Sequence, residues 1–316
     1  PAIRLEKKMQ RFYMSCNLVH RDDVHYKLAL ENVIREYGTL PALAGAQWNS
    51  SDFSWWRTVA QIQHRYGKQI IIGLEIMHDI RNTSVNRVYI SQPDCKTINT
   101  RLTNLMEEVR TSMDLQQYFG LSSSVAKHTG EQLTELERTF SSGGSGAATL
   151  QESLSLYTVA DLQEKYSDHL NFTEFLGLIL GEENIPKSLY IYDEEYLDKA
   201  LLTMRSTPLT TQANYILWKL LEDFLVDAQP KDMVKWCTES TKKYFGKLAE
   251  HAVYKRYRNP DVESEVHKIW DQIKGIFKQR LLGDQLDWNT QCNQDVGHRK
   301  ARTHAAEHQL LRRGEL

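Results

Sequence analysis

The chain has 316 residues, of which 41% are hydrophobic and 25% are charged, and its formal net charge is −2. This composition is typical of a globular protein with a large core, and the length favours two sub-domains. Lysine and arginine are scattered among acidic residues, so we expect no basic surface and no nucleic-acid partner. We also expect no signal peptide or membrane anchor within these residues, because no apolar run is long enough.

Helical periodicity dominates the sequence and predicts a mainly α fold. Apolar residues three or four positions apart predict a first helix over 22–37, and Gly38 is placed to end it. A β-branched run, a polar turn at Asn82 and a second apolar run predict one small β-hairpin over about 69–91. This hairpin is the exception in an otherwise helical first part.

The middle of the chain contains a second amphipathic segment and a loop. Segment 98–119 is predicted to be a helix ended by Gly120, with one apolar face formed by Leu102, Leu105, Met106, Val109 and Met113. The Gly/Ser-rich segment 141–149 has the composition of a flexible loop. It divides the chain into a first part, 1–140, and a helical second part, 150–288.

The second part begins with a short aromatic strand at 189–192, followed by helices at 194–204 and 212–225. A further long helix is predicted from its capping signals, because Asn259 suits the N-cap and Pro260 suits the first helical position. Its apolar residues form one stripe that we expect to be buried: Val262, Val266, Ile269, Ile273, Phe277 and Leu281. Five tryptophans in apolar helical contexts are predicted to be packing residues: Trp55, Trp56, Trp218, Trp236 and Trp270.

Short motifs follow one another along the chain: Phe12-Tyr13-Met14-Ser15-Cys16, Tyr66-Gly67-Lys68, Ser91-Gln92-Pro93, Tyr215-Ile216-Leu217-Trp218, Trp236-Cys237 and Leu286-Asp287-Trp288. In this order they resemble the N-terminal half of the neprilysin and endothelin-converting-enzyme family of zinc metalloendopeptidases, over about residues 5–288. The resemblance implies a multi-helix region that, in the full-length enzymes, closes over a catalytic domain and encloses a chamber for small peptide substrates.

The chemistry of that family requires H-E-x-x-H on a helix, where two histidines bind zinc and the glutamate acts as general base. This sequence contains no H-E-x-x-H. We therefore assign no catalytic residue and expect no zinc to be bound by this chain. Peptide substrates and zinc belong to the full-length enzymes of the family.

The last segment, 289–316, diverges from the family pattern and is predicted to be a disordered tail. It contains His304, Glu307 and His308, which spell the inverted zinc motif H-x-x-E-H. A catalytic zinc site needs a third protein ligand, and only eight residues follow His308. We interpret these histidines as a chance match.

The resemblance pairs Cys16 with Cys237 in a disulfide, and two buried thiols are the alternative. Cys95 and Cys292 have no assigned partner. Three N-x-S/T sequons, at Asn49, Asn82 and Asn171, are glycosylation candidates. Together with the family, they predict an extracellular or cell-surface location.

Three hypotheses follow from these residues. The first is a partial or truncated neprilysin-like zinc metalloendopeptidase, in which this chain is the helical shell and hydrolysis requires the missing catalytic half. The second is a non-catalytic secreted relative that binds peptides or a partner. The third is a short metalloprotease that uses the tail histidines. The apolar surface that a separated shell would expose favours the first over the second.

Overall fold

The protein is seen here as a computed structural model that describes residues 2–18, 23–51, 53–94, 100–142, 154–225 and 231–282. The fold is mainly α, as predicted, and the chain divides into two compact units. Unit 1 comprises Pro1–Arg21, Ile80–Val85 and Ala228–Leu316, and unit 2 comprises Asp22–Asp79 and Asn86–Asp227. The predicted loop at 141–149 lies mostly outside the described residues, so the division at that loop stays a prediction.

The helices of unit 2 are α2 (Asp23–Arg35), α3 (Pro41–Ala44), α4 (Trp55–Tyr66), α5 (Arg101–Phe119), α6 (Ser123–Ser141), α7 (Val159–Tyr166), α8 (Phe172–Leu180), α9 (Glu194–Ser206) and α10 (Leu209–Glu222). Those of unit 1 are α1 (Ala2–Leu18), α11 (Met233–Tyr257) and α12 (Pro260–Leu282). Short 3-10 turns lie at Gly45–Gln47 and Glu182–Asn184.

The predicted hairpin is present, but it is one half of a four-stranded mixed sheet. The strands are β1 (Gly73–His78), β2 (Asn86–Ser91), β3 (Leu154–Thr158) and β4 (Ser188–Tyr192). Their order is β1-β2-β4-β3, in which β2 and β4 are parallel and the other two pairs are antiparallel. The sequence therefore predicted β1, β2 and β4 but missed β3.

The isoleucine run that predicted the first strand begins before that strand does. Strand β1 starts at Gly73, and Ile71 has a left-handed φ of 65°. Ile70, Ile71 and Ile72 are at most 2% exposed, and Tyr196 in α9 donates a hydrogen bond to the Ile71 carbonyl at 2.8 Å. Since positive φ is strained for a β-branched residue, the surrounding core must hold this turn in place.

Helices α5 and α6 cross closely at Gly130. A Cβ atom at this position would lie 3.1 Å from the carbonyl oxygen of Glu108 in α5. Gly120 ends α5 in the left-handed conformation, as its position in the sequence predicted. The core of unit 2 continues from these helices to the sheet, and its largest fully buried side chains include Phe140, Phe172 and Tyr190.

In unit 1, α1 packs against α11 through aromatic side chains. The ring of Phe12 lies 5.6 Å from the ring of Tyr244 and 5.5 Å from that of Phe245, measured between centroids. Phe245 has non-helical φ and ψ angles, so α11 is kinked at this contact. Asn259 Oδ1 accepts hydrogen bonds from the backbone N–H groups of Asp261 and Val262 and caps the first turn of α12, as predicted.

Candidate functional site

Cys16 in α1 and Cys237 in α11 form a disulfide, the pair that the resemblance implies. Their Cα atoms lie 5.8 Å apart, and 221 positions separate them in the sequence. Cys237 is fully buried. The bond therefore closes a very long loop and joins α1 to α11 within unit 1. Cys95 and Cys292 lie outside the described residues.

The apolar stripe of α12 is exposed, so the prediction that it is buried is wrong for this chain on its own. The side chain of Leu281 lies outside the described ones, so this part of the prediction stays untested. Exposure ranges from 50% to 58% for the other five predicted residues and the neighbouring Ile276: Val262, Val266, Ile269, Ile273, Ile276 and Phe277. None of the described residues of unit 1 covers this stripe. The periodicity correctly identified an apolar face, but periodicity cannot say which chain or segment supplies the partner. We call these six residues the α12 stripe.

A second exposed apolar face runs along α5 in unit 2. Exposure lies between 50% and 66% for Leu102, Leu105, Met106, Val109 and Met113. The opposite side of the helix enters the core through Thr111, Leu115 and Tyr118. Helix α5 therefore has an apolar face and an opposite, partly polar face, and only the second is packed within the described part of unit 2.

The tryptophans divide between the core and the surface. Trp218 is 2% exposed, and Trp55 and Trp56 are partly buried against the core of unit 2. Trp236 and Trp270 in unit 1 are 38% and 41% exposed. The predicted packing role therefore holds for three of the five, and Trp270 widens the apolar surface of α12.

A buried ion network joins α5, α6 and α10. Lys219 Nζ lies 3.1 Å from Glu137 Oε1 and 3.2 Å from Glu222 Oε2. Tyr215 Oη donates to the other oxygen of Glu137 at 2.7 Å. Burial lowers the pKa of Lys219 and is the largest single influence, but Glu222 and Glu137 together outweigh it and raise the pKa. Lys219 is therefore held in its charged form.

Arg110 extends this network to the surface of α5. Its guanidinium lies 3.0 Å from Glu222 Oε1, 2.6 Å from Glu107 Oε1 and 3.1 Å from Asp114 Oδ2. We did not predict the network from the sequence, because Arg110 and Glu222 are 112 positions apart. The one available signal is a charged residue, Lys219, inside the otherwise apolar run 215–221 of helix α10.

A smaller charged cluster links α7, β3 and α9. Glu194 accepts hydrogen bonds from Tyr157 Oη at 2.7 Å and from Lys165 Nζ. Burial raises the pKa of Glu194 and is the largest single influence, but hydrogen bonds from Lys165, Tyr157 and Ser155 outweigh it and lower the pKa. The cluster fastens the edge of the sheet to two helices.

All three sequon asparagines are exposed. Asn171 is the N-cap of α8, where its Oδ1 accepts the backbone N–H of Glu174 at 3.0 Å. Asn82 lies in the hairpin turn, and its Oδ1 accepts the backbone N–H of Ser84 at 3.2 Å. In both of these hydrogen bonds the acceptor is the amide oxygen, whereas an N-linked glycan would be attached to the amide nitrogen.

The described residues offer no zinc centre. Among them, no group of three His, Cys, Asp or Glu side chains is arranged to hold a metal ion. His304, Glu307 and His308 of the inverted motif lie outside the described residues, as does the tail 289–316. No helix in the searched part of the chain is long and apolar enough to cross a membrane.

The sequence matches the N-terminal model of peptidase family M13 over residues 2–304. The chain belongs to peptidase family M13. The match continues beyond Trp288, so the family region is longer than the span of about 5–288 over which the motifs were recognised. Part of the segment that we described as divergent therefore lies within the family region.

Curated relatives agree with this assignment. The chain is 20% identical to mouse membrane metallo-endopeptidase-like 1, with 95% of the chain and 44% of the relative covered. It is 21% identical to human neprilysin, with 83% and 39% covered. Human endothelin-converting enzyme-like 1 is 20% identical, with 91% and 41% covered. The chain thus spans about two fifths of the length of these relatives.

Solved structures share the fold. The zinc metalloprotease Zmp1 of Mycobacterium tuberculosis, in complex with an inhibitor, matches with a TM-score of 0.67 and 14% identity, over 95% of this chain and 51% of that one. PepO of Lactobacillus rhamnosis matches with a TM-score of 0.64 and 13% identity, over 93% and 49%. The fold of this chain is therefore that of about half of such a peptidase.

Proposed function

We propose that this chain is the helical, non-catalytic part of a neprilysin-like zinc endopeptidase, and that peptide hydrolysis needs a further part carrying H-E-x-x-H. The observation that carries the proposal is the exposed α12 stripe. An amphipathic helix of 23 residues with six apolar side chains at least half exposed requires a partner surface. Membership of family M13 and a coverage of 39% to 44% of the curated relatives support a partner within the same protein.

In this proposal the α12 stripe packs against the catalytic part, and the helical part limits access to small peptides. In this proposal, zinc and the general base belong to the catalytic part, which carries H-E-x-x-H. The charged interior and the disulfide of the helical part have structural roles. A non-catalytic binding protein would instead have to keep the same stripe in contact with water.

The test places one charge on the α12 stripe and the same charge on the opposite face of the helix. Ile273 lies at the centre of the stripe. Ser264 is exposed and lies about two and a half turns before it, on the opposite face of the helix. In the native protein, Ile273→Asp is expected to abolish peptide hydrolysis and lower the melting temperature, whereas Ser264→Asp leaves both unchanged. In the 316-residue chain alone, the two variants should have the same melting temperature. Equal behaviour of the two variants in the native protein would contradict the proposal.

We also propose an extracellular or cell-surface location, with N-linked glycans at Asn49, Asn82 and Asn171. The exposed side chains of all three sequons support this assignment. Protein secreted from cultured animal cells should lose mass on treatment with a glycosidase that cleaves N-linked sugars. Variants in which the third sequon residue is alanine should each lose one glycan, and secreted protein without any such loss would exclude the assignment.

A further inference from the structure

A small polar cavity, partly open to the surface, lies in unit 2 at the junction of α5, α6 and α10. The residues with polar side-chain atoms that line it are Glu107, Thr111, Thr134, Glu137, Tyr215, Lys219 and Glu222. The cavity measures about 10 Å³, counted as the space open to the centre of a water molecule. In this measure, roughly 10–15 Å³ holds one water molecule. The cavity is therefore of the size of a single water and too small for an organic ligand.

Thr134 points to what this cavity contains. The residue is 2% exposed, and its Oγ1 atom has no hydrogen-bond partner in the described part of the chain. Buried hydroxyl groups are almost always hydrogen-bonded, because an unpartnered one loses its interactions with water and gains nothing in return. Since Thr134 lines the cavity, a small polar ligand there would satisfy its hydroxyl group.

The charges around the cavity favour a ligand that can also donate hydrogen bonds. Three carboxylates line it, from Glu107, Glu137 and Glu222, and Lys219 supplies the only positive charge among the described lining residues. Ionised carboxylates can only accept hydrogen bonds. Water can accept from Thr134 and donate to a carboxylate at the same time, whereas an anion would be repelled by the three acids.

We propose that this cavity binds one ordered water molecule, which accepts a hydrogen bond from Thr134 Oγ1 and donates to the carboxylates of the Lys219 network. The water is a structural component of the joint between α5, α6 and α10. A metal ion suits the cavity less well, because no described group of three His, Cys, Asp or Glu side chains is arranged to hold one. Lys219 already supplies a positive charge that compensates the carboxylates of Glu137 and Glu222.

Replacing Thr134 by valine in the full chain should change the melting temperature. The direction of the change depends on whether the cavity holds water or is dry. Thr134→Val keeps the branched shape and removes only the hydroxyl group. If water is bound, the variant loses a hydrogen-bonded bridge, and its melting temperature should fall by roughly 2–4 °C relative to the control. The control is Thr129→Val, since Thr129 lies on the same helix, is 4% exposed and does not line the cavity.

If the cavity is dry, the melting temperature of Thr134→Val should not fall relative to the control, because valine would then remove a hydroxyl group that has no hydrogen-bond partner. A melting temperature of Thr134→Val equal to or above that of Thr129→Val overturns the proposal. A crystal structure of the unsubstituted protein decides the matter even if a variant fails to fold. One solvent peak within about 3 Å of Thr134 Oγ1 is expected, and a map without it, or with a metal ion in its place, overturns the proposal.

Discussion

At the scale of single residues, the interior of unit 2 depends on charge compensation at Lys219. The side chains of Lys219 and Glu137 are 10% and 5% exposed, so neither charge can rely on water for solvation. Removing one partner of such a pair leaves the other charge buried without compensation. The pair is therefore a point at which a single substitution should strongly destabilise the unit.

Lys219→Met tests this dependence. Glu137 and Glu222 would both lose the ammonium group, and we expect the free energy of unfolding to fall by about 3 to 5 kcal/mol. The control is Lys127→Met, because Lys127 is 76% exposed and lies 4.0 Å from Glu131. That variant should change stability by less than about 0.5 kcal/mol. Denaturant unfolding measures both, and a loss for Lys219→Met as small as that of the control would contradict the account.

The contacts of Glu194 predict that the stability of the protein depends on pH. Its pKa is lowered in the folded protein from the ordinary value of 4.5, so its contribution to stability is present above that value and is lost as the pH falls through the folded pKa. Glu194→Gln should therefore be less stable than the unsubstituted protein at neutral pH, and the difference should narrow below pH 4.5. Thermal melting across this range measures it.

Glu195→Gln is the matched control for that series. Glu195 is the next residue of the same first turn of α9 and is exposed. It undergoes the same change of charge at the same end of the helix, but it makes none of the contacts of Glu194 to Lys165 and Tyr157. An equal pH dependence of the two variants would show that the helix terminus, and not the cluster, is responsible.

At the scale of helices and strands, the disulfide determines the stability of unit 1. The bond between Cys16 and Cys237 closes a loop of 221 positions. Replacing both cysteines by alanine should lower the free energy of unfolding by roughly 2 to 5 kcal/mol, because the unfolded chain is then less constrained. A reducing agent should destabilise the unsubstituted protein and leave the double variant unchanged. Equal sensitivity of the two proteins to reduction would contradict the role of this bond.

Most elements could be predicted from local patterns, and the failures have physical causes. Gly120 and Asn259 marked helix ends because the left-handed conformation and side-chain capping depend on nearby residues only. Strand β3 was missed because it is five residues long and is defined by pairing with β4. The ion network and the cavity at Thr134 could not be predicted, because they depend on contacts of α5 and α6 with α10, which is distant from them in sequence.

The α12 stripe shows a second limit of prediction from local patterns. Its spacing correctly predicted an apolar face, but burial is a property of whatever packs against that face. None of the described residues of unit 1 does so, and the exposure of Ile273 is 51%. The disagreement between pattern and exposure is therefore informative, because it indicates that the helix requires a surface from elsewhere.

At the scale of the whole molecule, three features support the proposal that the chain is one part of a larger peptidase. The chain belongs to family M13, it shares its fold with about half of two solved peptidases of 13% and 14% identity, and it carries an exposed stripe. A further exposed face lies on α5, where Met106 and Met113 are about 60% exposed. Flexible methionine side chains suit contact with an irregular surface.

Sequencing the native transcript across the codon for Trp288 tests the central claim most directly. We predict one uninterrupted reading frame that continues to a segment encoding H-E-x-x-H, so that the helical part and the zinc-binding part are made as one protein. A transcript that ends as the present sequence does, with no H-E-x-x-H, would contradict the account. The chain would then be a catalytically silent member of family M13, and the partner of the α12 stripe would have to be another molecule.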